Sequence, residues 1–193
     1  MIRLVRSAIA ITVVGVLALA SCSQPKEPPR LIIDESVAGD FETLALETWE
    51  QFLAVFQARR DCFGDVNLRA TKTLDSRAGY DPERAAVTVR VPATAAMLQG
   101  ALVHEWAHHV EFQCEDHKAL RPAFLAAQGL PLDTAWRPDI PPADIPASMW
   151  PDIPSEQYAE ATIMLVLGRR QIATGVRLKP EAVRVIGEWA AGD

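Results

Sequence analysis

Hydrophobic positions recur along this chain with two periods, and each period marks a kind of element. Phe41, Leu44, Ala45, Thr48, Phe52, Val55 and Phe56 fall on one face at helical spacing, which predicts an amphipathic helix from 41 to about 59, with Asp40 as its N-cap. Further on the period drops to two. Val87, Val89 and Val91 alternate with polar neighbours in 85–91, and 65–74 is also strand-like, with a loop or hairpin connection between them. "RLIIDES" reads as a short strand ahead of the first helix. Residues 94 to about 114 lack proline and helix-breaking clusters, which predicts a second long helix.

From Glu115 to Pro154 the pattern becomes irregular, apart from a short helix expected to open at Pro122. Asp-Ile-Pro occurs three times there (139–141, 144–146 and 152–154), with Trp136 and Trp150 nearby, and reads as an extended, proline-stiffened loop. Loops of such length are often functional. Ser155 is expected to cap a helix from Glu156 to about Arg170, and Pro180 to open a last one to about Ala190. Strands and helices in this order predict one α+β domain spanning residues 31–193.

Ahead of that domain, Arg3 and Arg6 precede an apolar run of 14 residues, Ser7 to Ala20. The run is short of the roughly 20 residues a membrane-spanning helix needs, and it ends in small residues, so it reads as a secretory signal. Leu19-Ala20-Ser21-Cys22 resembles the lipobox of bacterial lipoproteins. The resemblance implies a signal peptide over 1–21, a lipid-bearing Cys22, and a chain anchored to the outer face of the cytoplasmic membrane or elsewhere in the cell envelope. Residues 22–30 would then be the lipidated cysteine and a proline-rich tether. The eight residues from Ser23 to Arg30 reach about 25 Å when extended.

That exported setting gives the other two cysteines a partner: Cys62 and Cys114 are expected to be bonded to each other. It also changes the charge. The 19 basic residues lose Arg3 and Arg6 with the signal, leaving 17 against 25 acidic ones, a net charge of −8. Nucleic acid is excluded as a partner on that balance, because phosphate binding needs a basic surface.

The candidate chemistry lies in "HEWAHH", residues 104–109. On a helical wheel with His104 at zero, His108 falls at about 40° and Glu105 at about 100°, while Val103, Trp106, Ala107 and Val110 fall between about 200° and 300°. A polar chemical face is thus separated from an apolar one. Two imidazoles one turn apart can reach one ion, and the adjacent glutamate can reach a water upon it. In one large group of zinc peptidases the third ligand is a histidine six residues after the second, but Cys114 stands there. Glu111 lies on the metal face one turn beyond His108 and would have to reach back, and His117 has no spacing argument.

A stronger third ligand comes later. "SEQYAEAT" opens with Glu156 and Glu160 four apart on one helix face. His104-Glu-Trp-Ala-His108, followed by Glu156-Gln-Tyr-Ala-Glu160-Ala, resembles the gluzincin metallopeptidases over about residues 80–168. The resemblance implies Zn2+ held by His104, His108 and Glu156, with Glu105 as general base. Glu160 would orient a ligand histidine through its other ring nitrogen. It further implies hydrolysis of a peptide or protein substrate of the cell envelope, with loop 115–154 forming one wall of the cleft.

Such enzymes usually add a tyrosine or histidine to stabilise the oxyanion. Tyr158 lies about 200° from Glu156 on its helix, which leaves Tyr80, His109 and His117 as candidates. The competing expectation is a non-catalytic zinc-binding envelope lipoprotein that binds a partner through the same cleft.

Overall fold

A computed structural model describes residues 27–141, 144–170, 172 and 174–193. Cys22 and the segment resembling a lipobox lie outside them. Four strands form one mixed sheet: β1 (Leu31–Ile33), β2 (Val66–Thr71), β3 (Ala78–Asp81) and β4 (Ala86–Arg90), in the order β1-β2-β4-β3. β1, β2 and β4 run parallel, and β3 lies antiparallel to β4 at the edge. The segment between the two sequence-predicted strands is therefore the hairpin alternative, with β3 as its first arm. Its turn is fixed by Asp81 Oδ1, which accepts from the Glu83 and Arg84 backbone N–H groups.

The connection from β1 to β2 carries α1 (Gly39–Val55), a 3-10 turn at Gln57–Arg59 and the single-turn α2 (Arg60–Phe63). After the sheet come α3 (Ala95–Gln113), α4 (His117–Gln128), α5 (Pro154–Leu167) and α6 (Pro180–Ala191). With six helices and a small sheet among the described residues, the domain is α+β, as the sequence predicts. None of these helices is long and apolar enough to cross a membrane.

α3 is the central element, packed against α1, α5 and the β3–β4 hairpin. Thr94 caps it, its side chain accepting from the Met97 N–H. The apolar face anticipated on the wheel is the one that anchors it. Trp106 is fully buried, with ring centroids 4.9 Å from Trp49 and 5.6 Å from Phe52, and Phe52 stacks on Phe56 at 4.5 Å. Cys62 in α2 is bonded to Cys114 at the C-terminal end of α3, across 52 residues of sequence. In the chain-entropy model, closing a loop of this length destabilises the unfolded chain by about 4 kcal/mol.

Four local expectations are corrected. Asp40 is not the N-cap of α1: the extended residue Ala38 is, and Asp40 sits in the first turn, accepting from the Phe41 N–H. Ser155 does not cap α5 either. Pro154 occupies the first turn, where a missing N–H costs nothing, and the Ser155 N–H donates to the Trp136 carbonyl. Gly168, at φ 72°, ends α5 at Leu167, short of Arg170. The helix expected at Pro122 begins at His117 instead and contains the proline on its exposed side, where water can replace the bond the ring forgoes.

Candidate metal centre

α3 and α5 bring the site together. His104 and His108, one turn apart on α3, both direct Nε2 at Glu156 in the first turn of α5. His104 Nε2 lies 3.1 Å and His108 Nε2 3.5 Å from Glu156 Oε2, and the two Nε2 atoms are 3.2 Å apart. All three residues are buried, and their donor atoms are close enough to share one metal ion. The structure thus converges the three residues proposed as ligands from sequence.

Each histidine is backed at Nδ1 by a carboxylate. Glu160, one turn after Glu156, places Oε1 3.4 Å from His104 Nδ1. Its other oxygen accepts from the Thr174 hydroxyl and from Arg170. Glu111 places Oε2 3.0 Å from His108 Nδ1. Arg137 comes from the loop after α4 and grips Glu111 with both Nε and Nη2 at 2.7 Å, while Trp136 Nε1 donates to Glu111 Oε1 at 2.8 Å.

Arg137 Nη2 also lies 2.9 Å from His108 Nδ1. A guanidinium only donates and a carboxylate only accepts. If His108 gives Nδ1–H to Glu111, its Nε2 lone pair faces Glu156 and is free for a metal; Arg137 and His108 are then two donors sharing one carboxylate.

The charges follow from these contacts. Burial alone would lower the pKa of His104, but the carboxylates of Glu156 and Glu160 outweigh it and raise it to about 10. Burial would raise Glu156, yet its bonds to His104 and His108 hold it well below the usual carboxylate range. Glu111 is likewise pushed up by burial and more strongly down, to about 2, by Arg137 and His108. Glu105 differs from the other carboxylates. It lines the cleft beside the two histidines; burial raises its pKa more than the charges of His104 and His108 lower it, and among the described residues no hydrogen bond is made to its carboxylate.

The cleft is about 970 Å³. Its walls include the segment from Leu74 into β3 as far as Tyr80, α3, the start of α5, Arg137 and Trp150. The Trp150 ring stacks on His104 at 5.6 Å between centroids. Loop 115–154 is thus part helix and part cleft wall, with Arg137 at one histidine and Trp150 at the other. Glu111, a rival ligand by its place on the helical wheel, is instead the partner of His108, and Arg137 is a residue the sequence does not single out. The i, i+3 spacing of His108 and Glu111 was the available signal for the first; Arg137 lies in an aperiodic segment and had none.

Of the four tyrosines and histidines considered for an oxyanion role, two are hydrogen-bonded to each other and two are buried away from the cleft. His109 Nε2 meets the Gly64 carbonyl at 3.2 Å, so that nitrogen carries the proton and Nδ1 accepts from the Tyr80 hydroxyl at 2.9 Å. Gln113 donates to the same hydroxyl, whose pKa burial raises to about 12. His117 and Tyr158 are fully buried in an aromatic cluster with Trp136 and Phe124. Cys114 is in the disulfide and takes no part in the site.

No protein-family model matches the sequence, and comparison with curated proteins and with solved structures finds no significant match.

Proposed function

We propose that the chain is a gluzincin-type zinc peptidase, exported and held to the cell envelope through Cys22. The observation that carries this reading is the convergence of His104 Nε2, His108 Nε2 and Glu156 Oε2 at 3.1–3.5 Å separations, with Glu105 in the same cleft and without a hydrogen-bond partner among the described residues. Ligands 2.0–2.1 Å from zinc in a tetrahedron stand roughly 3.3 Å from one another, so the donor triangle fits one tetrahedral face. Two imidazole nitrogens and one carboxylate oxygen also match the ligand chemistry of catalytic rather than structural zinc sites. When bound, the ion would supply Lewis acidity, polarising a carbonyl and making water acidic enough to attack near neutral pH.

The chain's own groups supply the rest. Glu160 and Glu111 orient the two imidazoles. Glu105, kept basic by burial and free of competing donors, takes the proton of the attacking water and returns it to the leaving amine. Trp150 and Arg137 wall the site and limit water access. A peptide suits the cleft because β3 is an edge strand whose outer N–H and C=O groups have no strand partner among the described residues, and Gly79 presents no side chain in the way.

The second reading, a zinc-binding envelope lipoprotein without catalysis, is favoured by one observation: Tyr80, His109, His117 and Tyr158 offer no free donor to the cleft. Glu105→Gln separates the two. Elemental analysis of this variant is expected to show zinc retained, while peptide hydrolysis falls by several orders of magnitude. Full turnover in Glu105→Gln would end the peptidase mechanism.

A further inference from the structure

Glu111 uses only part of the Arg137 guanidinium. Nε and Nη2 both bond to that carboxylate at 2.7 Å, so the planar fork presents one edge to it and turns Nη1 away. Nη1 has no hydrogen-bond partner among the described residues. The Arg137 side chain is 34% exposed, although that of Glu111 beneath it is only 2% exposed, and Arg137 lines the cleft. Cζ also lies 4.7 Å from the centroid of the Phe112 ring. Gripped along one edge and backed at one face, the guanidinium keeps its plane without help from a ligand.

Arg170 shows the alternative. It stands behind Glu160 much as Arg137 stands behind Glu111, and it lines the same cleft. Its Nη1, however, is spent on Glu160, the Thr174 hydroxyl and the Val176 carbonyl. The fold closes off that nitrogen and leaves the one on Arg137 open.

Arg137 also stands close to the metal position. Its Nη2 lies 2.9 Å from His108 Nδ1, and the same ring directs Nε2 at Glu156. A single imidazole therefore separates the guanidinium from the point where the three ligand atoms converge. One or two residues of extended peptide, at roughly 3.3–3.6 Å each, cover a distance of that order. Both Glu111 oxygens are already turned to donors from Arg137, Trp136 and His108, which leaves Nη1 to a second anion.

From this we infer that Arg137 is a specificity residue, binding through Nη1 a carboxylate of the substrate peptide one or two residues from the bond that is cut. The inference rests on the peptidase reading and names the substrate chemistry that reading leaves open. An acidic side chain and a free chain end both supply such a group.

The test uses three pairs of peptide hydroxamates, which chelate zinc. In two pairs the peptide runs to one side or the other of the hydroxamate, and a glutamate is exchanged for glutamine. In the third a C-terminal carboxylate is exchanged for a carboxamide. Each probe is titrated calorimetrically into the full-length, zinc-loaded protein in detergent and into Arg137→Gln, with zinc content measured in every preparation. The parent is expected to bind the charged member of at least one pair about tenfold or more tighter, as a charge-assisted hydrogen bond implies. A glutamate pair would assign the anchor to a side chain, the third pair to the chain end. Arg137→Gln should lose the preference at equal zinc content. Loss of the Glu111 clamp alone would weaken both members of a pair alike. Equal affinities within all three pairs would overturn the anchor and leave the peptidase reading standing, as would a preference that survives Arg137→Gln. A zinc-loaded parent that binds none of the probes would overturn both. Should Arg137→Gln not hold zinc, Arg137→Lys, which neutralises Glu111 but has no second edge to offer, must shrink the preference for the anchor to stand.

Discussion

His108 illustrates how much of this site is held by residues that never touch the ion's position. Its Nδ1 faces Glu111 from its own helix, and Glu111 is itself clamped by Arg137 and Trp136 from a loop more than twenty residues away. The clamp keeps Glu111 ionised in a buried setting, and an ionised Glu111 fixes which nitrogen of His108 carries the proton. Glu111→Gln preserves size and removes that charge. Competition with a zinc chelator is expected to show affinity about 10- to 100-fold weaker, the usual cost of losing such a partner. Affinity equal to the parent's would show that the carboxylate does not orient the histidine. Glu160 does the same for His104 from the neighbouring helix, itself held by Thr174.

At the scale of elements, periodicity carries part of what the sequence shows. α1 follows from its helical spacing, β4 from strict alternation and α3 from the lack of helix breakers over 94–114, whereas the grouping of His104, His108 and Glu156 follows from the resemblance to the gluzincins. β3 is not distinguishable from a loop by sequence because "AGYD" has no apolar alternation to show; its pairing with β4 supplies what its sequence does not. The caps of α1 and α5 were misplaced for a related reason. Asp40 and Ser155 have the right chemistry for N-caps, but the chain bends one or two residues earlier, at Ala38 and Ile153, and tertiary contacts decide where it bends. α4 was obscured by Pro122, which argues against a helix interior unless it faces solvent. Loop 115–154 is legible as a cleft wall, which Trp150 helps to form, but Arg137 is not, because an aperiodic loop carries no information on which of its side chains reaches the site.

Across the whole molecule, the histidines divide into two groups with opposite consequences for stability. His104 and His108 sit among carboxylates that raise their pKa values, whereas burial depresses His109 to about 4 and His117 to about 3. For this second pair the folded value lies below the unfolded value of roughly 6.5, so between about pH 6.5 and 4 the unfolded chain binds more protons. Their contribution to stability is thus complete above about pH 6.5 and is lost as the pH falls. In metal-free protein, thermal unfolding is expected to move to lower temperature between pH 7 and pH 4.5. His117→Phe, which keeps the ring and removes an imidazole whose Nε2 has no partner among the described residues, should flatten that slope. An unchanged slope in the variant would assign the pH dependence elsewhere.

The same domain joins an aromatic core behind α3 to a cleft lined by His104, Glu105 and His108 in front of it, and the candidate metal centre spans the seam between α3 and α5. The most direct test of the account is zinc per chain, by elemental analysis of the full-length protein beside Glu156→Ala. One zinc in the parent, lost or much weakened in the variant, is the predicted result. A folded parent without zinc, or zinc bound as well without Glu156 as with it, would contradict the proposed centre.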